Sequence, residues 1–229
     1  MPDSSISPSA LTRLVAIRYV IAVACFFVVF FLPAGTFNYW QAWVYLALLM
    51  GPMLFVLIYL LKKHPDLLIR RMKFNEKEKQ QKKIVTFAMV LIVLIFLVPG
   101  FDRRFGLSVM PPWISILGVI LAVTGYVLIF FVFRENRFAG RTVEVEEEQP
   151  VISSGPYALV RHPMYLGSLM IYLFSPLALG SYWALIPALF TIPVFVTRLL
   201  DEEKVLLRDL KGYTDYQHKV RWHLIPGVW

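Results

Sequence analysis

The stretch WISILGVILAVTGYVLIFFVF, Trp113 to Phe133, holds no charged residue and ends abruptly at Arg134. A helix needs about 20 residues to cross a hydrocarbon core, so an uncharged run of this length reads as a transmembrane helix. Within it, Gly118 and Gly125 stand a heptad apart, which suits close packing against a neighbouring helix. Three more apolar runs lie upstream: Leu14 to Leu32, Asn38 to Leu61 and Ile84 to Val98. With 58% hydrophobic and only 17% charged residues among 229, the chain is too apolar for a soluble globular domain. The fold class is therefore all-α: a multi-pass transmembrane helical protein with about four spans. A C-terminal helical hairpin, re-entrant or spanning, follows them.

Local signals set the expected boundaries. Met1 to Ala10 is rich in Ser and Pro and reads as a disordered lead, without the basic start and cleavage site of a signal peptide. The first span stops at Pro33-Ala34-Gly35, and Arg18 snorkels back to the headgroups. The second enters through Tyr39, Trp40 and Trp43, with a kink expected at Gly51-Pro52. The third is expected to stop at Pro99-Gly100. Cys25, the single cysteine, reads as a small buried hydrophobe inside the first span.

The net charge of +8 is carried largely by loops. Residues 62–83 hold Lys62, Lys63, Arg70, Arg71, Lys73, Lys77, Lys79, Lys82 and Lys83 against Asp66, Glu76 and Glu78. By the positive-inside rule this loop is cytoplasmic, and it also attracts anionic lipid. A nucleic-acid partner is not supported. Counting spans from the loop puts the N-terminus and everything after Phe133 in the cytoplasm; Arg103 and Arg104, on the opposite side, run against this. Two regions result: a four-span region, 1–133, and a region expected to be catalytic, 134–229.

Within the second region, Arg134, Asn136, Arg137 and Arg141 precede an alternating acidic run, Thr142 to Glu148, which reads as a solvated loop. Then comes Gly155-Pro156-Tyr157-Ala158-Leu159-Val160-Arg161-His162-Pro163-Met164-Tyr165-Leu166-Gly167. Pro163 fits the first turn of a helix, whose unpaired N–H groups and positive dipole end favour an electron-rich ligand. An interfacial Arg/Tyr anchor is the plainer reading, but it does not call for a His-Pro pair. The hairpin spans 163–200: one helix from Met164 to Leu179, a reversal at Gly180-Ser181, and a second helix from Tyr182 to Leu200. Pro176, Pro187 and Pro193 predict bent helices lining a cavity. Arg198 and Glu202, at i and i+4, share a face; they form either a simple ion pair or a split site gripping an anion and an ammonium. Leu206, Leu210, Tyr213 and Val220 make an amphipathic tail, broken at Lys211-Gly212, that lies on the interface or covers a site. Glycine-rich nucleotide loops, metal-ligand clusters and a G-x-S-x-G nucleophile are absent from the sequence, so neither a Rossmann-bound cofactor nor a metal is expected.

Gly155-Pro156-Tyr157, Arg161-His162-Pro163-x-Tyr165-x-Gly167, Glu202-Glu203, Tyr213-x-x-Tyr216 and Pro226 together resemble the isoprenylcysteine carboxyl methyltransferase family of membrane enzymes. The resemblance covers roughly Asn136 to Pro226. It implies S-adenosyl-L-methionine as cofactor, contacted by Tyr157, Ala158, Leu159, Val160, His162, Tyr165, Met170, Ile171, Tyr172, Leu173 and Glu202. It further implies Arg198 as the residue that holds the substrate carboxylate. The family's F-G-x-x-Y reads Leu210-Lys211-Gly212-Tyr213 here, one residue short, which bears on the packing of the tail.

The implied reaction is direct methyl displacement onto the carboxylate of a lipophilic, isoprenylcysteine-like or prenylated substrate that enters from the bilayer, with the polar cofactor entering from the cytoplasm. The lipid membrane is the expected partner, and no obligate protein partner is evident. A bacterial inner membrane is the expected location. Three other readings stay open: a phospholipid amine or other lipophilic acceptor, an NADPH-dependent membrane reductase with a similar motif, and a transporter or scaffold.

Overall fold

The computed structural model describes residues 7–72, 79–140, 145–146 and 148–229, with the side chains of 79–82 also outside the description. Helix α1 runs Pro8–Ala34, α2 Trp40–Lys63, α3 Pro65–Arg71, α4 Lys79–Phe105 and α5 Pro112–Glu135. A 3-10 turn at Gly155–Ala158 leads to α6, Pro163–Ala178; α7 follows at Leu185–Asp209 and α8 at Tyr213–Lys219. Helices α1, α2, α4 and α5 are long and apolar enough to cross a membrane, and α6 is a shorter apolar helix. The expected all-α, four-span plan is present, and the protein is an integral membrane protein.

Several boundaries differ from the sequence expectation for identifiable reasons. Helix α1 starts at Pro8, inside the stretch read as a disordered lead, because the Ser7 hydroxyl caps it by accepting from Ala10 N at 3.3 Å. Helix α4 does not stop at Pro99-Gly100 but continues to Phe105. A Cβ on Gly100 would lie 2.5 Å from Pro33 Cγ, so this pair is where α1 and α4 touch rather than where α4 ends. Beyond it, Arg103 donates to Asn38 O at 2.9 Å and ties α4 to the α1–α2 turn. Cys25 is exposed on the outside of α1 instead of buried. The loop 62–83 contains α3, seated by buried Leu67 and Leu68, so its basic residues are not one solvated run. Arg70 pairs with Glu146 at 2.6 Å, and the Arg71 guanidinium stacks 4.5 Å from the Phe133 ring centroid. Lys73 and Lys77, and most of the acidic run at 142–147, lie outside the described residues.

The expected glycine contact is real, and it positions the site. A Cβ on Gly118 would come 2.5 Å from Ala178 N, and one on Gly125 would come 2.6 Å from Gly167 O. Helices α5 and α6 therefore lie backbone against backbone, an approach that only residues lacking a side chain permit. This fixes the start of α6, and with it the Arg161-His162-Pro163 stretch, to the membrane core. Helix α7 begins later than expected and runs well past Leu200, continuing through Pro193. Arg198, Glu202 and Glu203 thus share one rigid helix.

The far end of the α6–α7 hairpin is fastened separately. Asp102, 2% exposed near the end of α4, accepts from Ser108 N at 2.7 Å, Ser108 Oγ at 2.6 Å and Ser181 Oγ at 2.5 Å. Ser108 Oγ in turn accepts from Tyr182 N at 3.1 Å, and Ser181 Oγ from Ala184 N at 3.2 Å. A buried carboxylate is tolerated when its lone pairs are filled, and here neutral donors fill them.

Candidate active site

A cavity of about 300 Å³ opens where α4, α6 and α7 meet the tail. Its two ends differ in chemistry. Val85, Ala88, Met89 and Ile92 of α4, with Val194 and Phe195 of α7, form an apolar wall. Asn136, Gln149, Tyr157, His162, Tyr165 and Glu202 form a polar wall, and Arg198 lines the cavity with them. A site able to hold a polar molecule and an apolar chain together needs this division.

The polar wall is built by three elements. Pro163 starts α6, so His162 and Tyr165 sit at the helix entrance with their rings 5.7 Å apart. Tyr165 donates its hydroxyl to Glu202 of α7. Arg198 lies one helical turn before Glu202, and both face the cavity. Tyr157, on the 3-10 turn, accepts from Asn136 Nδ2 at 2.9 Å; burial pushes its phenol up to about 12, so it stays neutral. Tyr216 donates to Tyr157 O at 2.7 Å and brings α8 down as a cover. The amphipathic tail therefore buries Leu210, Tyr213, Tyr216 and Val220 against Val151 and Tyr157, covering the site rather than lying free.

Behind this wall stands a second carboxylate, Glu203, which the motif names only as the neighbour of Glu202. Glu203 accepts from Arg161 Nε at 2.7 Å and contacts His162 Nε2 and His223 Nε2, both at 3.1 Å. Burial alone would raise its pKa, but hydrogen bonds from His162 and Arg161, together with the Arg161 charge, bring it down to about 2. Arg161 also donates to the Val220 and Arg221 carbonyls, at 3.0 and 2.9 Å. The interfacial-anchor reading does not describe Arg161, whose donors fasten the tail. The backbone repeats this attachment, since Arg161 N donates to Trp222 O at 2.8 Å and His162 N to His223 O at 3.0 Å.

Tyr157, His162, Tyr165, Arg198 and Glu202 are thus brought together. The remaining expected contacts lie elsewhere. Leu159 is 67% exposed and Val160 is buried, and neither they nor Ala158 line the cavity. Met170 and Ile171 face Gly125 of α5, while Tyr172 packs on Phe195 at 5.7 Å and Leu173 joins the core. These four form a layer beneath the cavity wall. Arg71, Gln149, Tyr213 and Tyr216 line the cavity without having been singled out as contacts. The Tyr213-x-x-Tyr216 spacing was a usable signal for the tyrosines; nothing local distinguished Arg71 from its basic neighbours.

Comparison with known proteins bears on this same region. Residues 113–211 match the model of the phospholipid methyltransferase family, from the start of α5 to the turn before α8. No curated protein matches the chain. Among solved structures, the chain is similar to the eukaryotic intramembrane Ras methyltransferase, isoprenylcysteine carboxyl methyltransferase. The identity is 17%, over 95% of this chain and 86% of that one, with a TM-score of 0.50. At that identity the likeness is one of fold. The segment carrying most of the polar wall thus matches a methyltransferase family, and it sits in the fold of an intramembrane methyltransferase.

Proposed function

We propose that this integral membrane methyltransferase uses S-adenosyl-L-methionine to methylate the carboxylate of a lipophilic, isoprenylcysteine-like substrate. The observation that carries the reading is the pairing of Arg198 and Glu202, one helical turn apart, on a cavity whose other wall is apolar. The donor set fits the cofactor: Glu202, oriented by Tyr165, is a carboxylate suited to its ammonium group, and Tyr157 and His162 offer neighbouring polar contacts. The cofactor would supply a methyl group already activated by a sulfonium, so this chain need provide neither a metal nor a covalent nucleophile.

Its residues would act by positioning and water exclusion. Arg198 would hold the substrate carboxylate at the boundary between the polar and apolar walls. There, few waters compete for the oxygens and their nucleophilicity rises. The α4 and α7 side chains would take the lipid tail from the bilayer, and α8 would shield the cofactor. The basic residues of loop 62–83 support a cytoplasmic site.

A second reading, transfer to a phospholipid amine, is favoured by the family match at 113–211. In it Arg198 would hold the phosphate. The test is labelled methyl transfer by the purified protein to a panel of prenylcysteines and phospholipids. Label appearing in a prenylcysteine ester supports the first reading, and label only in phospholipid selects the second. Thermal stabilisation by S-adenosylhomocysteine, lost in Glu202→Ala, tests the cofactor; stabilisation by NADPH alone would overturn it.

A further inference from the structure

Glu202 and Glu203 are adjacent on α7, yet they hold different partners at the entrance of α6. Glu202 receives the Tyr165 hydroxyl. Glu203 receives Arg161 Nε, His162 Nε2 and Tyr213 Oη at 3.3 Å, and it is buried; His223 Nε2 stands 3.1 Å from it and accepts from Arg161 at 2.6 Å. A neutral imidazole has one donor and one acceptor nitrogen, and the partner of one decides the role of the other. An ionised carboxylate only accepts, so the His162 nitrogen that meets Glu203 must carry the proton. His162 lines the cavity, and in the neutral ring the remaining nitrogen is the acceptor.

We propose that Glu203 is a positioning residue for the cofactor: by holding the Nε2–H of the neutral His162 it leaves Nδ1 as a hydrogen-bond acceptor on a ring that lines the same cavity as Glu202. The group recognised is a hydrogen-bond donor of the cofactor, an ammonium or a sugar hydroxyl. This rests on the cofactor reading above. The competing role for Glu203 is purely structural, as the staple joining residues 213–229 to the motif through Arg161, Tyr213 and His223. His223 separates the two roles, because it accepts from Arg161 beside Glu203 and stacks on Trp229 at 4.4 Å but does not line the cavity.

The test uses the full chain in detergent or nanodiscs. Glu203→Gln should weaken S-adenosylhomocysteine binding by roughly tenfold or more, the scale of a hydrogen bond to a charged group, with the acceptor KM within about twofold. His223→Phe should lower the melting temperature and leave that affinity within about twofold. Unchanged affinity in a folded Glu203→Gln, or equal loss in both variants, overturns the proposal. Should Glu203→Gln fail to fold, 15N spectra of histidine-labelled wild-type protein near pH 8 still decide. The His162 signals, assigned by their loss in His162→Gln, should show protonated Nε2 and bare Nδ1; a protonated Nδ1 overturns the proposal. Wild-type protein that binds no S-adenosylhomocysteine would instead sink the cofactor reading, and the spectra would report on His162 independently.

Discussion

The two ends of the α6–α7 hairpin each bury a carboxylate, and they treat it differently. At the turn, Asp102 is surrounded by two serine hydroxyls and a backbone N–H. At the open end, Glu203 meets an arginine, two histidines and a tyrosine. Neutral donors locked into turns define a joint with little electrostatic reach. Cationic and titratable donors sit beside the cavity, where their orientation bears on a ligand. The hairpin is thus pinned by geometry at one end and organised for chemistry at the other.

The largest expected effect lies at the chemical end. Arg198→Ala should reduce carboxyl methylation about a hundredfold or more, as expected for truncating one partner of a desolvated charge pair. Its S-adenosylhomocysteine affinity should be nearly unchanged, and retained activity would remove Arg198 from the carboxylate role. At the pinned end, Asp102→Ala should cost about 2–3 kcal/mol of stability by leaving buried donors unfilled. Denaturation in detergent would measure the cost, while methyl transfer by the folded fraction should stay near wild type. A selective loss of turnover in Asp102→Ala would erase the contrast between the ends.

Between the ends, Gly118→Ala forces a methyl to within 2.5 Å of Ala178 N and should cost about 1–3 kcal/mol by overpacking. Equal stability of this variant would mean that α5 and α6 can separate cheaply. A last effect is on acid stability. The Glu203 carboxyl lies near pKa 2 when folded, below its ordinary 4.5, so its contribution is complete above about 4.5 and lost as pH falls toward 2. Melting temperature should fall through that window in wild type, and less in Glu203→Gln. Asp102→Ala should keep the wild-type slope.

Much of this architecture was legible beforehand. The four spans followed from run length, and a close helix contact on α5 from two glycines a heptad apart, though not that its partner is α6. Arg198 and Glu202 were legible as a pair because helical periodicity places i and i+4 on one face. Pro99-Gly100 misled because a proline signals a helix end, whereas in a membrane core neighbouring helices support a continuing one. Ala158, Leu159 and Val160 adjoin the motif in sequence, but the 3-10 turn carries Leu159 outward and Val160 into the core.

Run length and periodicity alone place this chain across a membrane, locate its helices in outline and set a polar motif at the entrance of an apolar helix. Those properties rest on hydrophobic transfer and helix periodicity, both local. The assembled fold is what turns Glu202 toward the cavity and its neighbour Glu203 toward Arg161 and His162, and what brings His223 to that cluster from far along the chain. Adjacent residues on a helix point about 100° apart, so their partners depend on what packs against each face. That is a property of the assembled fold.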